Sequence, residues 1–280
     1  MSAPRATIVP GVYDALSARI AVRAGASAIY MTGFGVAGAA FGVPDIGLVS
    51  ASQMIERVGI IAAACDDVPL IADGDNGHGG PLNTANLTRA YERAGAAAIQ
   101  LEDQVFPKRC GHMEDKEVVS RTEAAQKIRA AADARRNKSF KIIARTDARA
   151  THGLDEALAR GDDFLKAGAD ILFVEAPRSE EELRRVAETF NGVPLVVNLV
   201  EDGKTPLLTT AELEALGYKV LLYPISALLA VTRRLEEVYD LLLKGERKTL
   251  DGDRSSFSHY NEIMKLPELL AVTKALADTK

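Results

Sequence analysis

The chain has 280 residues, of which 47% are apolar and 26% charged, with no tryptophan and a formal net charge of −5. That mild negative balance excludes a basic footprint for nucleic acid and a polybasic segment for a membrane surface. Its two cysteines, Cys65 and Cys110, make no disulfide framework and read as reduced thiols, so the cytoplasm is the expected location. The N-terminus lacks a charged-then-apolar leader pattern, and the longest apolar stretch, 220–231, contains Pro224 and is too short to span a bilayer.

Short apolar runs alternate with longer amphipathic segments. The first run, 6–9, precedes a helical pattern at 12–23; the second, 28–31, leads through a loop to one at 52–64. Runs at 69–72, 97–101, 140–144, 170–174, 194–199 and 219–222 precede helical patterns at 83–93, 122–136, 154–166, 180–190, 210–216 and 225–244. Unbroken apolar strands of this length are buried on both faces, which means a parallel sheet. The glycines of AGAS, AGAA and AGAD stand where a helix ends and the next strand begins. Eight such units in about 250 residues predict an α/β fold, a (β/α)8 TIM-type barrel over 1–245. An open doubly wound sheet is the alternative. Residues 246–280 exceed what a barrel needs, and their amphipathic pattern predicts a helical extension that packs on a neighbouring subunit.

A barrel places its chemistry at the C-terminal ends of its strands. Those ends read Gly11-Val12-Tyr13-Asp14, Thr32-Gly33, Asp73-Gly74-Asp75, Glu102-Asp103, Arg145-Thr146-Asp147, Glu175, Asn198 and Tyr223. Loops are polar anyway, but acids and an arginine converging on one mouth are costly without a cation and an anion to pair with. Asp73, Asp75 and Glu102 fit a magnesium site, because a hard cation takes carboxylate oxygens and keeps several waters. Asp73 is expected to bind directly, with Asp75, Glu102 and Asp45 acting through water. Zinc is disfavoured: His78, His112, His152 and His259 are scattered and are expected on loops or the surface, except His112 beside a thiol.

Arg145 is placed to clamp a carboxylate, and pairing with Glu175 or Asp147 is compatible with that. GFGVAG (33–38) fits a dinucleotide fingerprint after a strand. With Pro44 close behind, no helix is expected to open there, so Thr32, Gly33 and Phe34 read instead as donors to a substrate carboxylate. Lys141 and Lys219 sit at strand starts, which disfavours a Schiff base, and no glycine-rich phosphate loop follows the last two strands.

In LEDQVFPKRCGHMEDK (101–116), Cys110 lies within two positions of Lys108, Arg109 and His112. Adjacent positive charge stabilises a thiolate, which predicts ionisation below the ~8.5 of a free thiol and a role as nucleophile or proton donor. An incidental surface cysteine is the other reading. Cys65 follows GIIAAA and reads as structural.

The motifs PGVYDALSA, MTGFG, PDIG, DGDNGHGG, LEDQVFPKRCGH, ARTDAR, FVEAP, NLVEDGKTPLLTT and LYPISA are highly specific in combination. Through them the chain, from about 10 to 244, resembles the isocitrate lyase/phosphoenolpyruvate mutase superfamily. The resemblance implies a magnesium-dependent barrel, with manganese as the alternative ion. It also implies a loop bearing Lys-x-Cys-Gly-His and a homotetramer that exchanges C-terminal helices. Asp73 and Asp75 match the metal aspartates, with Asp45 and Glu102 as outer partners. Thr32, Gly33 and Phe34 fall where members bind the α-oxyacid; Gly111, Arg145, Glu175 and Asn198 fall at substrate-binding positions. Cys110 matches the thiol that protonates a leaving carbanion, with Lys108, His112 and Arg145 as its catalytic company.

The implied reaction is cleavage of a 2-hydroxy acid between C2 and C3. Methylisocitrate lyases resemble this pattern but carry an arginine where Leu229 stands here, and SGG in place of Thr32-Gly33-Phe34. These departures favour a dicarboxylic 2-alkylmalate, as in the dimethylmalate lyase and petal-death-like branch. Carboxyphosphonoenolpyruvate phosphonomutases share the cysteine loop and stay open as an alternative. Oxaloacetate hydrolases also stay open, although they resemble one another in a serine near the position of Pro224.

Overall fold

The computed structural model describes residues 5–109 and 116–277, so Cys110, Gly111 and His112 lie outside the described residues. The chain divides into two compact units, Met1–Leu228 and Leu229–Lys280. In the first, eight parallel strands close into a barrel in sequence order: β1 (Thr7–Val12), β2 (Ile29–Met31), β3 (Leu70–Asp73), β4 (Ala98–Glu102), β5 (Lys141–Thr146), β6 (Ile171–Val174), β7 (Leu195–Asn198) and β8 (Val220–Tyr223). The open-sheet alternative is thereby excluded. The helices α1 (Ala15–Arg23), α2 (Gly33–Phe41), α3 (Ala51–Ala62), α4 (Pro81–Ala94), α5 (Arg121–Ala134), α6 (Ala148–His152), α7 (Leu154–Ala167), α8 (Glu180–Thr189) and α9 (Thr210–Leu216) fill the connections. Their starts follow the sequence closely: Ser120, Ser179 and Thr209 each accept a hydrogen bond from the N3 backbone amide.

Two apolar layers hold the barrel together. Inside it, Val9, Tyr30, Ala98, Ile143, Phe173, Val196 and Leu222, each from a different strand, form one buried cluster. Between strands and helices a larger cluster includes Met31, Leu70, Ile99, Ile142, Leu172 and Leu221. Neighbouring positions thus face opposite ways, as the pleat requires.

Two local expectations are corrected. The first strand runs on to Val12 rather than stopping at 9, because Pro10 and Gly11 continue the strand instead of turning it. Pro10 pairs in register with Tyr223, and a Cβ at Gly11 would lie 2.0 Å from the Pro224 carbonyl oxygen, so only glycine permits this closure. Helix α1 then begins at Ala15, and Asp14 caps it by accepting from Ser17 N at 2.7 Å rather than joining the mouth. Second, a helix does open at Gly33. Thr32 caps it through Gly35 N, and Gly42 ends it in a left-handed conformation. Pro44 falls beyond that end and interrupts nothing.

The second unit takes in all but the start of α10 (Ser226–Leu243), then a 3-10 turn (Arg247–Leu250), α11 (Phe257–Ile263) and α12 (Leu266–Ala277). The expected helical extension is present. Neither α10 nor α12 buries a residue, and Leu235, Tyr239, Leu243, Leu269 and Leu276 are exposed. None of the described helices is long and apolar enough to cross a membrane.

Candidate active site

Strand pleating builds the mouth. Two residues beyond an inward apolar position, each strand again points inward. Tyr30 is followed by Thr32, Ile71 by Asp73, Ile143 by Arg145, Phe173 by Glu175, Val196 by Asn198 and Leu222 by Pro224. On β4, Ala98 is followed by Gln100 and then Glu102, which pairs in register with Arg145. Most of the polar strand ends picked out in the sequence therefore converge above one apolar plug.

The acids form a buried cluster. Asp73 accepts from Gly33 N at 3.2 Å, Asp75 N at 3.1 Å and Gln100 Nε2 at 3.3 Å. Gln100 is itself fixed by Tyr30, whose hydroxyl donates to its Oε1 at 3.0 Å. The Lys108 ammonium pairs with Asp45 and lies 2.7 Å from Asp75 Oδ1. Among the described residues, four acids, Asp45, Asp73, Asp75 and Glu102, thus share the Lys108 ammonium. Burial, then repulsion from Asp75, raises the Asp73 carboxyl to about 6. Burial also pushes Glu102 well above the usual carboxylate range, against the pull of Arg145. Lys108 is pushed well above its ordinary value, because Asp75 and Asp45 outweigh the burial that opposes its charge.

Arg145 is clamped by acids. Its Nε donates to Asp147 Oδ2 at 2.9 Å and its Nη2 to Asp147 Oδ1 at 3.1 Å. Its Nη1 lies 3.4 Å from Glu102 Oε2, and its Nε 3.5 Å from Glu175 Oε2. The guanidinium also stacks over Phe173, 5.2 Å from the ring centre. Burial works against charge on Asp147, yet Arg145 and Lys116 hold its carboxyl at about 2. Asn198 Nδ2 donates to Glu175 at 3.3 Å.

The pocket above these groups encloses about 510 Å³ of empty space, counting its solvent-open part. Thr32, Phe34, Asp45, Asp73, Glu102, Lys108, Arg145 and Asn198, all singled out in the sequence, line it, while Asp75 and Glu175 stand behind lining residues. Phe173, Val200, Leu222, Pro224 and Ile225 supply an apolar part of the wall. Tyr223, the strand-end residue named for β8, is not among the lining residues.

Does this mouth suit a hard divalent ion? Glu102 Oε1 is buried and has no hydrogen-bond partner among the described residues. A Cβ at Gly33 would sit 2.8 Å from Asp73 Oδ2 and 3.4 Å from Asp75 Oδ1, so glycine keeps open the space beside both aspartates. Among the described residues no three His, Cys, Asp or Glu side chains close on one point. That pattern fits magnesium, which retains waters and touches one or two carboxylates directly.

Several site residues escape a sequence reading. His78 is a loop residue as expected but not a surface one: its Nε2 lies 3.5 Å from Asp75 Oδ2, and burial lowers its pKa. Lys116 is an ordinary charge in sequence, and Asp103 is legible there only as part of a polar strand end; both are buried against Asp147. Gln104 holds Arg109 at both backbone atoms, accepting from its N at 2.9 Å and donating to its O at 2.8 Å. Cys65 is buried, and its thiol donates to Ile61 O at 2.8 Å, as its apolar context predicted.

A closed parallel barrel whose mouth joins an acid cluster to a clamped arginine defines an enzyme built to hold an anion beside a cation. Comparison with known proteins narrows the class. The model of the family Phosphoenolpyruvate phosphomutase matches residues 1–243. 2,3-Dimethylmalate lyase of Eubacterium barkeri is 44% identical over 273 residues, 97% of this chain and 94% of that one. 2-Methylisocitrate lyase of Bacillus subtilis (strain 168) is 38% identical over 280 residues, 100% of this chain and 91% of its own. Among solved structures, oxaloacetate acetylhydrolase in complex with 3,3-difluorooxalacetate superposes with a TM-score of 0.92 at 35% identity, covering 98% of this chain and 93% of that one. The chain belongs to the phosphoenolpyruvate phosphomutase family, within the superfamily that its motifs resemble.

Proposed function

We propose that this protein is a magnesium-dependent carbon–carbon lyase that cleaves a 2-alkylmalate-type dicarboxylate into an α-keto acid and a carboxylate. The carrying observation is the pocket itself: an acid cluster and Arg145 on one part of its wall, and Val200, Leu222, Pro224 and Ile225 on another. The apolar part accepts an alkyl group and itself carries no charge for a third carboxylate, although Arg109 also lines the pocket. In sequence, Leu229 stands at the position where tricarboxylate lyases resemble one another in an arginine, and it carries no charge.

Asp73 would hold the ion directly, with Asp75, Asp45 and Glu102 acting through water; magnesium, or manganese, supplies Lewis-acid polarisation of the oxyacid. The chain's own groups do the rest. Arg145 holds a substrate carboxylate, and Glu175 with Asn198 fixes the polar edge beside it. At the start of α2, Phe34 presents its backbone amide to a carboxylate, as helix N-termini do, while the Gly33 amide holds Asp73 beside it. The C2 hydroxyl gives its proton to water on binding, so that as the C2–C3 bond breaks the alkoxide becomes a carbonyl and the electron pair goes to C3. Cys110 delivers a proton to C3, with Lys108, His112 and Gly111 in its company.

With 2,3-dimethylmalate the products are pyruvate and propionate. A panel of 2-hydroxy and 2-oxo diacids, scored for keto-acid release with magnesium, tests the proposal. Turnover of 2-alkylmalates supports it; turnover of methylisocitrate alone contradicts it. Oxaloacetate hydrolysis is the second reading, favoured by the superposition on oxaloacetate acetylhydrolase. Pro224 lines the pocket near where the hydrolases carry serine, which argues against it. Release of oxalate from oxaloacetate decides between the two.

We also infer a homotetramer that exchanges C-terminal helices. Helices α10 and α12 bury no residue within the chain, while their exposed leucines are too many for a water-facing surface.

A further inference from the structure

We propose that Lys116 is a positioning residue for Arg145, acting through Asp147. The inference rests on the reading above, in which Arg145 holds a substrate carboxylate. Lys116 Nζ lies 2.6 Å from Asp147 Oδ1, with the two side chains 2% and 0% exposed. The same oxygen accepts Arg145 Nη2 at 3.1 Å, so one carboxylate is divided between an ammonium and a guanidinium.

Asp147 has little freedom to choose between them. Its N–H donates to Asp103 Oδ1 at 2.9 Å, and Asp103 Oδ2 accepts from Thr146 Oγ1 at 2.7 Å and Arg160 Nη1 at 3.0 Å. Lys116 is equally well placed by backbone: Val105 N donates to Glu117 O and Val119 N to Asp103 O, both at 2.9 Å, around the Gln104–Val118 bridge. The geometry is therefore fixed, and what varies is how much of Asp147's charge falls on the arginine.

Arg145 faces three acids, Asp147, Glu175 and Glu102. In a buried site, three carboxylates against one guanidinium leave little positive potential for an incoming oxyacid. Lys116 neutralises part of Asp147 from its other side. It thereby leaves Arg145 electropositive toward the pocket without loosening the bidentate grip that orients its plane.

The test measures oxalate binding to the magnesium-loaded, full-length protein by calorimetry, beside KM and kcat on the preferred substrate. Lys116→Met should weaken oxalate about tenfold and raise KM similarly, with kcat changed less than about twofold, and Lys116→Arg should restore both. In an Asp147→Asn background, Lys116→Met should add nothing further. Lys116→Gln serves with the same expectation should Lys116→Met fail to fold. Wild-type oxalate affinity in Lys116→Met or Lys116→Gln overturns the inference, as does an equal loss with and without Asp147. Arg145→Gln separates the two levels: it should abolish oxalate binding, and unchanged binding there overturns the reading of Arg145 and with it the inference.

Discussion

The Lys108 ammonium lies 2.7 Å from Asp75 Oδ1 and also pairs with Asp45, so a lysine stands as counter-ion to the acid cluster assigned to the metal. It shares Asp75 and Asp45 with whatever other cation the cluster holds. Lys108→Met should therefore bind magnesium about tenfold more tightly by calorimetry, while turnover falls. Without metal the variant should be less stable than wild type, because unpaired buried carboxylates remain, and magnesium should restore more of its thermal midpoint than it does in the wild type.

Gly33→Ala is the smallest test of the space beside the aspartates. The added methyl would meet Asp73 Oδ2 at 2.8 Å. The carboxylate must rotate, giving up the Gly33 amide and its place toward the ion. Magnesium affinity is expected to fall at least tenfold, as read by metal titration, with the circular-dichroism spectrum unchanged.

The thiols should differ sharply. Burial, then the charge of Asp66, raises Cys65 from 9.0 to about 11. The sign follows from linkage: a folded-state pKa above the unfolded one favours the protonated native state. That stabilisation is complete below about 9 and is lost as pH rises toward about 11. Native protein at neutral pH should expose one fast-reacting thiol to a disulfide reagent, and Cys110→Ser should expose none until it unfolds.

Asp103 anchors the arginine from behind. Asp103→Asn removes the charge that meets Arg160 inside the protein, where among the described residues Arg160 keeps the carboxylate of Glu156, 2.9 Å from its Nε. Urea unfolding should show a loss of about 3 kcal/mol, the cost typical of breaking a buried pair. Arg160→Met in the same background should recover part of it.

How much of this was legible from residues alone follows from where each interaction lies. The barrel and its polar mouth were readable because both rest on short-range regularities. Apolar runs mark the strands, and Asp73, Glu102, Arg145, Glu175 and Asn198 each fall within one residue of the end of one. Helix α2 was not readable. Glycine-rich sequence has low helix propensity, and this helix stands on a Thr32 cap and on packing of Val36 and Ala37, which are tertiary facts. The same holds for Lys116. Nothing local tells a lysine six residues after a cysteine from a solvated one; only the pairing of 103–105 with 117–119 brings it to Asp147. Tyr30 and Gln100 read as strand residues, and their bond to each other behind Asp73 exists only once β2 and β4 curve into one barrel.

Carbon–carbon cleavage completed by a proton from Cys110 is the central step of the proposed reaction. The direct measurement is incubation of wild type and Cys110→Ser with 2,3-dimethylmalate and magnesium in deuterium oxide, with products read by proton NMR. Wild type should give pyruvate and propionate carrying one deuterium at the former C3, and Cys110→Ser should lose at least about a thousandfold in rate. No keto acid from wild type, or an unchanged rate in Cys110→Ser, would contradict it.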